Sequence, residues 1–376
     1  MSAPDAIVVG AGLLGAAVAY GLARKGVRPL VLDEGEGAFR ASRGNFGLVW
    51  VQGKGDDSAP YARWTQASAI LFPDLAAELE DLTGVPLTLD QPGGIHICLS
   101  EADFEARAQQ MAAAAAQPGS RLDYEMLGPN ALARYLPGLG PDVVGGSWSA
   151  QDGQCDPLRL LRALHAGILA HGGRIETGAR VVRVAPDGGG FRVEAARTHR
   201  APRVVLAAGL GNRTLAPMLG LRQPVYPLKG QVLVTERVDR FLDIPTTHIR
   251  QTADGTVMIG DSQEDAGFDI ASAPAVMRAI ADRARRTVPA LARVQVVRAW
   301  AALRVMTPDG LPVYQTSAAH PGAAAISCHS GVTLAAAHAL RLAPMLAQGL
   351  LEGDPAALGP ERFPDLAPGG PDVQAA

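Results

Sequence analysis

Gly10, Gly12 and Gly15 form a G-x-G-x-x-G directly after the apolar run Ile7–Val9, and Asp33 follows 18 residues beyond Gly15. In such a turn the first glycine lets the chain bend sharply, the second lets backbone approach a pyrophosphate, and the third lets helix lie against strand. A carboxylate at the position of Asp33 accepts hydrogen bonds from ribose hydroxyls and repels a 2′-phosphate, which disfavours NADP. The motif follows a strand, opens a helix and is answered by an acid at the expected distance, so it reads as a dinucleotide site; by itself it does not choose between NAD and FAD. Downstream, Ser42, Arg43 and Asn45 offer a hydroxyl, a guanidinium and an amide in a glycine-rich stretch, with Gly44 and Gly47 permitting close approach. Loops of this length without periodicity are uncommon unless functional, so we read it as a cofactor-lining loop and not a solvated connector.

Other chemistries are disfavoured. Cys98, Cys155 and Cys328 are odd in number, far apart and form no CxxC, which argues against a disulfide framework, a zinc site or an iron–sulfur cluster. His165 and His171 do not share a helix face, so no metal site is expected there. The formal charge of -3, with no basic stripe, gives no reason to expect nucleic acid. The N-terminus lacks a basic, apolar leader, and Val332–Leu351 is interrupted by His338 and Arg341. We therefore expect no signal peptide, no integral membrane segment and, by default, a cytoplasmic protein.

The elements that must position these residues read as α/β. Leu14, Val18 and Leu22 recur every four residues on one helix face, and Leu30–Leu32 makes a second strand ending at Asp33. A helix is expected over about 61–83, kinked or divided by Pro73, then a strand IHICL, helices over Glu101–Gln117 and Pro129–Leu136, and a strand Val143–Ser149. Asp156-Pro157 is a helix start. Arg174–Val184 and Phe191–Arg197 read as two strands joined by a turn at Pro186–Gly190. RVVLAAGLG, Arg203–Gly211, is a strand ending in small residues that let a ligand sit on the backbone, which brings the chain back to its first domain. From Tyr226 to Asp261 alternation around Ala253-Asp254-Gly255 suggests an antiparallel sheet, followed by a helix Pro274–Val288, strands Val294–Val305 and Ala323–Ser327, and a final helix after Cys328-His329-Ser330-Gly331. The resulting division is a discontinuous nucleotide domain over residues 1–85, 150–220 and 298–360, a substrate domain over 86–149 and 221–297, and a loose tail at 361–376.

With these glycines and Asp33 at the start, RVVLAAGLG in the middle, and WAALRVMTPDGLPV and SCHSGVTLAAAHAL near the end, the chain resembles the D-amino-acid oxidase, glycine oxidase and sarcosine oxidase superfamily. The resemblance implies FAD, held noncovalently, in a glutathione-reductase-type Rossmann domain beside a substrate domain built on a mixed or antiparallel sheet. It places Val181 against adenine, and Ala208 and Gly209 beside the pyrophosphate. Ser42, Arg43, Asn45 and Gly47 would run along the phosphates and ring. Gly331, Val332 and Thr333 would present backbone N–H groups to the flavin, where a helix N-terminus stabilises negative charge. Leu14 and Glu34, beside the glycine turn and Asp33, complete the expected cofactor set. Arg304 would grip the substrate carboxylate and lie at the flavin, His329 would orient the amine, and Tyr226 would wall the pocket. Where the family commonly has proline after this arginine, the chain has Val305 and Met306. The loop ASRGNFGLVWVQGKG is most similar to FAD-bearing subunits of bacterial hydroxyproline, proline and opine dehydrogenases. That implies hydride removal from the Cα–N unit of a small secondary amino acid, with cis-4-hydroxy-D-proline favoured, and partner subunits or another electron acceptor. A glycine- or sarcosine-type oxidase, and a flavin-carrying subunit inactive without its partners, remain the alternatives.

Overall fold

The computed structural model describes residues 3–35 and 41–364. A six-stranded sheet forms its first half. Ala6–Val9 lies at the centre, paired in parallel with Pro29–Leu32 on one side and Val204–Leu206 on the other. Arg174–Glu176 extends one edge in parallel; Ala323–Ser327 and then the antiparallel Val313–Thr316 extend the other. Ile7, Val9, Leu30 and Leu32 point into one core with Phe191, Val193 and Leu219, while Val8 and Val31 point into another with Val18, Leu22, Leu164 and Leu342. Both faces are covered, which is why these strands read as unbroken apolar runs. Each fully buried aliphatic side chain contributes about 1.5–3 kcal/mol, so the register around Gly10 is strongly fixed.

The second half is antiparallel. Tyr226–Arg237 pairs along most of its length with Val296–Met306, and on its other side with Thr256–Ile259, which carries Ile249–Gln251 at the edge. A three-stranded sheet of Gly94–Cys98, Gly145–Ser149 and Glu125–Leu127 is joined to it through an Ile95–Thr246 bridge. This is the mixed α/β architecture expected from the sequence. Among the described residues no helix is long and apolar enough to cross a membrane.

Several local readings are corrected. The run Arg174–Val184 is not one strand. Arg174–Glu176 joins the central sheet, whereas Arg183–Asp187 forms a hairpin with Gly190–Glu194, because Gly178 at φ +68 turns the chain between them. Pro73 does not divide Ala59–Thr83, which is a single helix. The short helix ends at Leu132. The last helix starts later than expected: residues 331–334 form a turn, Ala335 opens the regular helix, and His338–Leu342 is a π segment within it. The start of the expected loose tail is anchored, since Arg362 bonds Asp309 at 2.6 Å and the carbonyls of Leu358 and Pro312; the tail past Pro364 lies outside the described residues. Asp156 does cap its helix, accepting N–H bonds from Leu158 and Arg159.

Candidate active site

A cavity of about 600 Å³ opens along the carboxyl ends of the central strands. Gly10, Gly12 and Leu14 line it from the first turn, Asp33 and Glu34 from the end of the second strand, and Ser42, Arg43 and Asn45 from the loop. Val181, Ala208 and Gly209 close one side, and His329 and Gly331 stand at the far end. The geometry fits a dinucleotide. A Cβ on Gly12 would come within 2.9 Å of Ser42 Oγ, so this face of the turn is clear only because the residue is glycine. Ser42 Oγ accepts the Leu13 N–H at 2.9 Å and keeps its own hydrogen to donate to a phosphate oxygen. Asp33, 9% exposed, accepts N–H bonds from Ala11 at 2.8 Å and Gly35 at 2.9 Å, which hold its carboxylate at the cavity wall.

Six expected residues are not among the described residues lining this cavity: Gly15, Gly47, Tyr226, Arg304, Val332 and Thr333. Gly15 lies beneath the turn, where a Cβ would be 2.0 Å from the Gly10 carbonyl. Gly47, at φ +91, packs on the Cys155 carbonyl. Val332 is buried core, and Thr333 Oγ1 accepts the Trp50 N–H at 3.1 Å and donates to the Leu48 carbonyl at 3.2 Å, stapling loop to helix. Tyr226 opens its strand opposite Met306. Val305, where the family commonly has proline, lies within the paired strand opposite Pro227.

Arg304 lies in a different polar cluster. Its Nη2 donates to Asp261 Oδ2 at 2.5 Å, and its Nη1 to the carbonyls of Ser262 at 2.8 Å and Lys229 at 3.3 Å. A guanidinium has five N–H donors, so this clamp fixes its orientation and leaves two for a carboxylate. On the far side of Asp261, His248 Nδ1 is 3.4 Å and Arg283 Nη2 3.9 Å from Oδ1. Burial alone would raise the Asp261 carboxyl, but His248 beside it and the charges of Arg304 and Arg283 outweigh burial and hold it below the usual carboxylate range. His329 is pushed down to about 3 by burial and then by the charges of Lys54 and Arg304, so it stays a neutral imidazole. Burial also lowers the Lys54 ammonium, and the charge of Arg304 lowers it further. The Cys328 thiol is pushed up to about 12 by burial, so it is not a thiolate.

A family model described as "FAD dependent oxidoreductase", DAO, matches residues 5–345. The chain belongs to that family. It is 42% identical to an opine oxidase subunit of Rhizobium meliloti and 43% to the corresponding subunit of Agrobacterium tumefaciens, each over 96% of this chain and 97% of the relative. Glycine oxidase of Bacillus licheniformis is 24% identical over 82% of this chain and 83% of its own. Glycine oxidase from Geobacillus kaustophilus superposes with a TM-score of 0.87 at 23% identity, over 96% of this chain and 98% of that one, so the fold is shared. In this DAO-family protein FAD is the dinucleotide, which settles the choice the glycine motif left open.

Sequence reasoning missed Asp261, His248, Arg283 and Lys54. Asp261 had a faint signal, standing where a strand ends beside a glycine, but its partners come from residues 248, 283 and 304. Lys54 ends a loop anchored by Asp152, whose Oδ1 accepts the Val51 N–H at 2.6 Å and whose Oδ2 accepts Gln52 Nε2 at 2.6 Å. Burial pushes the Asp152 carboxyl from 3.8 up to about 7 against those hydrogen bonds. Between those values the folded protein holds a proton that the unfolded chain has released, so this group makes stability fall as pH rises. Asp152→Asn is therefore expected to flatten the change in Tm between about pH 5 and about pH 8. An unchanged slope in calorimetry would show that Asp152 is already ionised.

Proposed function

We propose that this chain is the FAD-bearing subunit of a dehydrogenase that oxidises the Cα–N bond of an opine-type substrate, a secondary amine flanked by two carboxylates. The observation that carries the reading is the surplus of positive charge beyond the cofactor cavity. Arg304 and Arg283 share one ionised carboxylate, Asp261, and Lys54, whose ammonium burial lowers, stands with Arg304 near a neutral His329. The identity to the opine oxidase subunits over nearly the whole chain points the same way. Arg304 would hold one carboxylate through its two remaining donors and so fix the Cα hydrogen; His329 would receive a hydrogen bond from the amine without taking its proton. Bound FAD supplies the acceptor for the two electrons. The un-ionised Cys328 supports noncovalent attachment. That the relatives are themselves subunits, of opine oxidase and of hydrogen cyanide synthase (HcnC), supports partner subunits that pass electrons onward.

The test is anaerobic mixing of the FAD-loaded chain with an N-(1-carboxyethyl)amino acid, cis-4-hydroxy-D-proline, glycine and sarcosine, following loss of the flavin's visible colour. We expect bleaching by the dicarboxylate. cis-4-Hydroxy-D-proline, favoured on the sequence, shares the secondary amine but has one carboxylate and should react more weakly. Bleaching only by glycine or sarcosine, or rapid recolouring in air, would establish the oxidase alternative. A chain that bleaches with none of them until partners are added is the flavin-carrying subunit.

A further inference from the structure

A second cavity, of about 460 Å³, lies behind Asp261, between the strand Gly94–Cys98, the helix Glu101–Ala115 and the helix Pro274–Thr287. His96, Arg107, Thr246, His248 and Arg283 line it. Arg107 is 5% exposed, yet its hydrogen bonds go to neutral oxygens: Ser147 Oγ at 2.8 Å, Gln110 Oε1 at 2.6 Å and Gln52 Oε1 at 3.0 Å. Among the described residues no carboxylate forms an ion pair with it. Arg283 donates through Nη2 to the carbonyls of Gly260 at 2.6 Å and Asp261 at 2.7 Å, while its Nε is buried with no acceptor among the described residues. Asp103, on the cavity rim, is exposed. Asp56 and Asp152 act on Arg107 and Asp261 on Arg283 through their charges, but among the described residues no carboxylate is hydrogen-bonded to either guanidinium, and an anion in the cavity would complete the arrangement. His96, pushed down to about 3 by burial and by Arg107 and His248, adds a neutral imidazole that can donate one hydrogen bond.

Asp261 connects this cavity's lining to Arg304: one carboxylate oxygen takes Arg304 and the other faces His248 and Arg283, which line the cavity. The two carboxyl carbons of an opine are four bonds apart, roughly 5 Å at ordinary bond lengths, which is the scale of one intervening carboxylate. We propose that this cavity is the subsite for the second carboxylate of the substrate, with Arg283 as the residue that recognises it and Arg107 supplying the field. This rests on the opine reading above.

The test separates the two. Glutarate has carboxyl carbons the same four bonds apart but no amine to oxidise, and butyrate is the same chain lacking one carboxylate. Their dissociation constants are measured calorimetrically on the oxidised FAD-loaded protein. We expect glutarate to bind at least about tenfold more tightly than butyrate, and Arg283→Gln to weaken glutarate by about tenfold or more while leaving butyrate within about twofold. Arg283→Lys, which keeps the charge, should restore part of the difference. Equal binding of the two acids by the unaltered protein, or an equal effect of Arg283→Gln on both, overturns the subsite, and the first comparison decides even if the variant does not fold. Failure of any opine to bleach the flavin instead overturns the proposed function and leaves the glutarate result standing.

Discussion

Arg304→Met is expected to leave FAD bound and to lower kcat/KM for the substrate by about 10²–10⁴-fold, most of it as lost affinity. The arginine does not line the cofactor cavity, so flavin content, read as the ratio of flavin to protein absorbance, should not change. What it offers is two free N–H donors on a guanidinium already clamped by Asp261, Ser262 and Lys229. Hydrogen bonds to charged groups are worth about 1.5–3 kcal/mol each, and losing a pair corresponds to that fold-change. The truncation also strands Asp261, whose carboxylate would face the incoming substrate with one cation fewer. Arg304→Met combined with Asp261→Asn isolates the two effects: if the double variant regains stability but not affinity, the loss belongs to carboxylate binding. Unchanged apparent Kd in the single variant would remove Arg304 from the site.

Gly15→Ala should abolish FAD binding and lower stability together, whereas Gly12→Ala should lose FAD with little change in the stability of the apoprotein. At Gly15 a Cβ would stand 2.0 Å from the Gly10 carbonyl and 3.2 Å from Ala207 Cβ, so backbone must move and the helix is pushed off the strand. Overpacking of that kind costs about 1–3 kcal/mol and occasionally more. At Gly12 the added methyl meets only Ser42 Oγ, at 2.9 Å, a side chain that can rotate away. The methyl then occupies the face of the turn that lines the cavity. Thermal unfolding of both apoproteins, with FAD titrated by flavin fluorescence, distinguishes the cases. A Gly12→Ala protein that keeps full FAD affinity would place the pyrophosphate elsewhere.

The same contrast runs through what can be read from the chain. The glycine turn, the first helix, Asp33 and the strand Val204–Leu206 are legible because their pattern is local: a sharp turn, an amphipathic period and a carboxylate at a fixed remove are each set within a few residues. The hairpin, the Asp156 cap and the antiparallel pairing about Ala253-Asp254-Gly255 are legible for the same reason. The start of the final helix is not, because Ser330 and Thr333 bond Tyr61, Trp50 and Ser68 from distant segments, through the Ser330 hydroxyl and the hydroxyl and carbonyl of Thr333, and nothing local to residues 331–334 shows those partners. Arg174–Val184 misleads because β-branched residues favour extended chain on either side of Gly178 without saying which sheet each half will join.

The sequence by itself pointed to a dinucleotide-binding turn at Gly10–Gly15 answered by the carboxylate of Asp33, and the family likeness implied FAD. Only the tertiary structure decided the rest of the site. Arg304 is named through its family motif, but Asp261, His248, Arg283 and Lys54 are each one charged or polar residue among many, with partners from distant segments. Folding brings them out of water together, and in that low-dielectric setting their mutual positions, not their identities, set which stay charged, which stay neutral and which have donors left for a substrate.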